Sequence, residues 1–277
     1  MKTVTDELCG LLQACNDAGS TLPRSGMPQA VRLEAALVLL AARGGIVRMD
    51  GTARWRLIEA GLLAPRPSLA FEALRRHRLL AVLLPELPAL FGVPQLASSR
   101  EWQDVGEHQW RFIDETARAG APIELRFAAL VHKLGKAGTP REIWPSHYKQ
   151  EQRAHAALDA LARRVDVPAA AIAFARLAVD ELEAIHAVHE LRAGPIAQWL
   201  ARVQAAEQPE RFEQLLALAA CDWAAYPGQA GTAHPKAALL RRALQAAQCV
   251  DAQGLPVDAA LQARAEAIHA ALRRHLG

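Results

Sequence analysis

Alanine- and leucine-rich runs with apolar residues at helical spacing, each cut short by proline or glycine, recur along almost the whole chain. That pattern leaves little besides helix for the chain to form. The stretch MPQAVRLEAALVLLAARGG, residues 27–45, shows it most clearly. Proline stands at the first turn, a broad apolar stripe follows, and a glycine pair stops the helix. Alanine and leucine lose little side-chain freedom in a helix, and aromatic residues make up only 5% of the chain. We expect an all-α protein. Further helices are expected near residues 102–119, 122–134, 147–165, 168–191, 195–205, 209–225, 234–250 and 256–275. Pro65, Pro67, Pro85 and Pro88 mark joints, Ser68 is expected to cap the helix that follows it, and Thr139-Pro140-Arg141-Glu142 reads as a capping box.

With 277 residues, 52% of them hydrophobic, the chain can bury a full core and divide into subdomains. Its formal net charge of +3 allows an anionic partner without requiring one. Cys9, Cys15, Cys221 and Cys249 have no Cys-x-x-Cys spacing, so neither a zinc knuckle nor a disulfide framework is indicated. A reducing cytoplasmic location is expected. The N-terminal stretch is too polar for a signal peptide, and no apolar run is long enough to span a bilayer, so no membrane association is expected. Residues 1–27 read as a leader of uncertain order.

Several segments then fall in a familiar order. APRPSLAFEALRRHRLLAVLLPELPALFGVP, VGEH, LRFAALVHKLGKAGTPREIWPSHY and QPERFEQLLALAACDW together resemble the C-terminal half of bacterial CCA-adding tRNA nucleotidyltransferases, over roughly residues 28–252. The resemblance implies a helical neck and body at 28–95 and an HD-type domain at 96–252, followed by a C-terminal helix at 253–277.

Departures from the family pattern decide what this implies. The family's polymerase head carries a glycine loop for the triphosphate and two carboxylates one residue apart for magnesium, because phosphoryl transfer depends on metal charge and positioning. Here GGIVRMD at 44–50 mimics the loop but ends a helix, and Asp-x-Asp occurs nowhere in the 277 residues. We expect these residues to lack the head and not to add nucleotides by themselves.

An HD site joins one histidine, an adjacent His-Asp pair and a distant aspartate around a divalent metal that activates water. The resemblance assigns His108 as the first ligand, His132 as the second and Asp222 as the last, with Lys133 where the pair's aspartate belongs. An ammonium there has the same sign as the cation that the carboxylate would bind, and like charges in a buried pocket repel strongly. Lys133 is expected to reach the vacated space and pair with Asp222, standing in for the metal. Arg100 occupies the place of another family histidine, His147 is retained, and His186 matches a further one. The site is therefore read as a relic: no cofactor, or at most a divalent metal weakly held by His108, His132 and Asp222.

Basic residues offer a second source of function. Arg54, Arg56, Arg66, Arg75, Arg76 and Arg78 cluster within residues 51–80, where Glu59 and Glu72 are the only acids, and they are candidates for holding RNA phosphates. The bland reading is a solvated helix face with arginine stems covering apolar neighbours. Trp144, Trp199 and Trp223 read as packing residues rather than base-stacking platforms. The expected function is binding, without catalysis, of RNA, with the tRNA acceptor half as first candidate, or of a protein partner. The alternatives are an HD-type phosphohydrolase acting on phosphomonoesters or cyclic phosphates, and a body subunit that complements a separate nucleotidyltransferase head.

Overall fold

A computed structural model describes residues 4–13, 29–96, 102–187 and 192–276. The helices are α1 (Val4–Gln13), α2 (Gln29–Ala42), α3 (Gly51–Leu62), α4 (Pro67–Arg76) and α5 (Leu80–Leu83), then α6 (Val105–Arg118), α7 (Ile123–Val131), α8 (Leu134–Ala137) and α9 (Gln150–Ala162). They continue as α10 (Ala169–Ala187), α11 (Ala193–Arg202), α12 (Pro209–Ala224), α13 (Ala237–Gln248) and α14 (Val257–Leu276). Among the described residues the fold is all-α apart from a short antiparallel ribbon, β1 (Pro94–Leu96) with β2 (Trp102–Asp104), in which Leu96 faces Trp102. None of the described helices is long and apolar enough to cross a membrane.

The chain forms two compact units, Met1–Val179 with Ala225–Gly228, and Asp180–Ala224 with Gln229–Gly277. In the first, α3 packs on α1, α4 and α7, and α6 packs on α4 and α7. Phe71, Phe112 and Phe127 are fully enclosed, and Trp55 meets Phe127 edge-on at 5.5 Å between ring centres. Part of the expected leader is a packed helix: Leu8, Leu11 and Leu12 of α1 are buried. In the second unit, α14 lies against α11 and α13, and Trp199 is buried beside Phe212.

Gly44 ends α2 in the left-handed conformation at φ 59°, so the glycine pair acts as the helix stop the sequence indicates. Two expected caps are replaced. Ser68 lies inside the first turn of α4 and does not cap it by itself. Asp114 of α6 accepts from the Ser68 backbone N–H at 2.9 Å and from its hydroxyl at 2.6 Å, so a carboxylate 46 residues away caps the helix. The Thr139–Glu142 capping box does not form either, since residues Arg141–Ile143 make only a 3-10 turn without a side-chain cap. The Thr139 hydroxyl instead meets His147 Nδ1 and Arg153 Nη2, both at 3.1 Å.

The candidate site and its relatives

α6 and the end of α7 carry the residues that matter most. His108, on α6, is fully buried; His132 follows the last residue of α7 and is 3% exposed; Lys133 links α7 to α8 and is 1% exposed. α7 breaks here because α8 turns onto α9 at very short range. A Cβ on Gly135 would stand 1.9 Å from the Gln150 carbonyl oxygen, so only glycine permits the approach.

Two aromatic rings join these side chains. The Phe112 ring lies 5.1 Å from His132, edge-on, and 6.2 Å from His108. The Tyr226 ring lies 4.4 Å from His108, and the Lys133 ammonium is 5.7 Å from its centre. The first unit thus gathers His108, His132 and Lys133 into one buried neighbourhood. A lysine head group so enclosed is costly to desolvate, and the face of an aromatic ring offsets part of that cost.

Asp222 belongs to the second unit and is also buried, at 2% exposure. Its Oδ2 is 2.8 Å from His186 Nε2, a close approach outside hydrogen-bond geometry. The other nitrogen of His186, Nδ1, is 3.4 Å from His234 Nε2. Burial first, and then electrostatic interaction with the neighbouring His186 and Lys236, lower the His234 pKa to about 4. The sequence reading missed His234, which lies in the loop after α12 and has no motif of its own.

Lys133 offers no lone pair when charged and repels a cation from the two imidazoles beside it. Among the described residues, no group of three or more His, Cys, Asp or Glu side chains could hold a metal ion. His147 is buried against the ribbon, with Nε2 donating to the Pro94 carbonyl at 2.7 Å, and its other nitrogen accepts from the Thr139 hydroxyl. Arg100 lies outside the described residues.

The arginine cluster is largely taken up by ion pairs that the local sequence does not reveal. Arg56 pairs with Asp6, and Arg76 stands 3.6 Å from Glu34. Arg66 is 4.0 Å from Asp114, and Arg75 binds Glu72 at 2.7 Å while covering the Phe91 ring at 4.3 Å. Burial works against the charged form of Glu72, yet hydrogen bonds from Arg75 and Trp110 outweigh it and lower its pKa. Arg54 ties down the chain before α3 by donating to the Met49 and Ile46 carbonyls. Arg78 is exposed and takes part in no ion pair among the described residues. Trp199 is core; Trp144 and Trp223 are half-buried and donate to the Thr139 carbonyl and the Thr232 hydroxyl.

No protein-family model and no solved structure matches the chain. Among curated proteins, the multifunctional CCA protein of Laribacter hongkongensis is 41% identical over 198 residues, covering 72% of this chain and 49% of that protein. Its counterpart in Nitrosospira multiformis is 39% identical over 206 residues, or 74% of this chain and 50% of the relative. That of Paracidovorax citrulli is 40% identical over 217 residues, or 78% of this chain and again 50% of the relative. The chain spans about half the length of the curated relatives it matches. Identity at this level over most of an all-α chain, together with the family's motifs in order, makes the chain a homologue of the multifunctional CCA proteins, in keeping with the C-terminal half of the CCA-adding enzymes.

Proposed function

We propose that the chain binds RNA, with the tRNA acceptor half as its first candidate, and that its HD-type pocket performs no metal-dependent hydrolysis. The observation that carries the second part is Lys133, a lysine buried to 1% exposure next to His132, at the position where the resemblance calls for a metal-binding carboxylate. Its ammonium supplies the positive charge that a divalent ion would otherwise bring, so the pocket is kept electrostatically complete without chemistry. Support for an RNA partner comes from the homology to multifunctional CCA proteins and from the resemblance to tRNA nucleotidyltransferases. Within the arginine cluster, Arg78 is the cation best placed to meet a phosphate, because Arg56, Arg75 and Arg76 already face carboxylates.

Titrating the protein with tRNA at two salt concentrations tests the reading. A phosphate-driven complex weakens steeply as salt rises, because neutralised phosphates release their counterions. No tRNA affinity at low salt overturns it, and hydrolysis of a phosphomonoester or cyclic phosphate that depends on added metal favours the phosphohydrolase instead.

A further inference from the structure

The ribbon and the loop between α8 and α9 expose a set of side chains that belong neither to the HD-type pocket nor to the arginine cluster. Side chains alternate across a strand, and here Gln95 turns inward, 2% exposed, to accept from the buried Lys136 ammonium at 3.0 Å. Its neighbour Leu96 and the facing Trp102 therefore turn outward, 49% and 63% exposed. An indole left this open contributes little to the core.

The adjoining loop is fastened to the ribbon. His147 bonds the Pro94 carbonyl of β1, and Arg153 Nη2 donates to the His147 carbonyl at 3.1 Å and the Tyr148 carbonyl at 2.7 Å. His147 and Lys149, at φ 49° and 60°, are held in the left-handed region on either side of Tyr148. Tyr148 is 68% exposed, and Ile143 in the same loop is 37% exposed.

Two cations stand over aromatic rings here instead of over acids. The Lys149 ammonium is 5.4 Å from the Tyr148 ring centre, and the Arg141 guanidinium is 5.6 Å from that of Trp144. Both cations are exposed, and neither has an ion pair among the described residues, whereas Arg56, Arg75, Arg202 and Arg241 do. The exposed acid of the loop, Glu142, is outnumbered. Asp104 of β2 is engaged by the Gly92 and Glu107 backbone N–H groups. Open aromatic faces beside unclaimed cations are what single-stranded nucleic acids use: bases stack on the rings and phosphates meet the charges.

We infer that unpaired RNA bases stack on Trp102 and Tyr148 while Arg141 and Lys149 hold the neighbouring phosphates. This inference rests on the RNA-binding reading above and names the surface that performs it. A duplex keeps its bases stacked on one another and cannot use such a platform, so selectivity for unpaired RNA follows.

The test is fluorescence anisotropy of the whole chain with a labelled single-stranded oligoadenylate and with the same strand annealed to its complement. Trp102→Ala and Tyr148→Ala are each expected to weaken single-strand binding by roughly 5- to 100-fold, and Trp102→Phe to stay within about 3-fold of the parent because a phenyl ring still stacks. Arg141→Ala and Lys149→Ala are expected each to lower the salt slope by about one phosphate contact. Circular dichroism melts of each variant check that the fold is intact, as expected at these exposed positions. If the parent binds the single strand and the alanine variants bind it equally well, the surface is wrong while the RNA reading stands. If the parent binds no RNA at low salt, both fall. Preference for the duplex, or a parent dimer that Trp102→Ala converts to monomer without changing RNA affinity, overturns the assignment of the surface.

Discussion

The Lys133 ammonium lies 5.7 Å from the centre of the Tyr226 ring, in the same neighbourhood where His108 meets that ring at 4.4 Å. One aromatic ring thus neighbours a buried lysine and a buried imidazole together. A metal centre would use the imidazole as a ligand and would have no place for the ammonium. On the proposed reading, this arrangement lets the chain keep the histidines of an HD-type pocket without a metal ion.

The tertiary cap on α4 is open to direct measurement. Asp114→Ala removes two hydrogen bonds to Ser68 and the negative charge at the helix start. We expect a loss of about 1–2 kcal/mol, on the scale of other helix caps, seen as a lower midpoint in urea. Ser68→Ala keeps the bond to the backbone N–H and should lose less.

The close crossing of α8 and α9 predicts a larger effect at Gly135. A methyl group there would meet the Gln150 carbonyl oxygen at 1.9 Å, and a backbone atom cannot turn aside as a flexible side chain can. Gly135→Ala should destabilise the protein by about 2 kcal/mol or more, through overpacking. Thermal unfolding checks this, with Gly138→Ala as control, because its nearest neighbour is the movable Arg153 side chain at 3.4 Å.

Helix character was legible in the sequence because the 3.6-residue period is a local property, and α2, α6 and α12 each hold an apolar stripe between recognisable stops. What escaped were features whose partners lie far along the chain. Ser68 looks like a cap until Asp114 comes into contact with it, and the arginine cluster looks free until Asp6 and Glu34 pair with Arg56 and Arg76. The ribbon escaped because strands of three residues carry too few alternations to register. His108, His132 and Lys133 came from motif order, whereas the exposure of Trp102 and Tyr148 required the fold.

Stability should fall with acid in a window set by His234. Its pKa in the fold is about 4, against an ordinary value of 6.5. Above pH 6.5 neither the folded nor the unfolded state protonates this residue, so its burial carries no penalty. As pH falls from 6.5 toward 4 the unfolded chain takes up a proton that the folded chain refuses, and stability declines. The expected loss is roughly 1–3 kcal/mol after allowance for solvent screening. His234→Gln should flatten the urea midpoint against pH across that window, and an unchanged profile would contradict this assignment.

Within the arginine cluster, a structural residue and a binding residue should respond differently to substitution. Arg78→Ala should lower the salt slope of tRNA binding by about one unit and leave the melting temperature unchanged. Arg75→Ala should lower the melting temperature, since Arg75 holds Glu72 and covers Phe91, and should leave the salt slope alone.

Manganese binding, followed by the loss of the free-ion electron paramagnetic resonance signal, tests the central claim most directly. The native chain is predicted to leave the signal of an equimolar titration essentially intact, and Lys133→Asp to bind manganese, because it returns an anionic oxygen beside His108 and His132. Stoichiometric uptake by the native chain, together with metal-dependent phosphoester hydrolysis, would contradict the account.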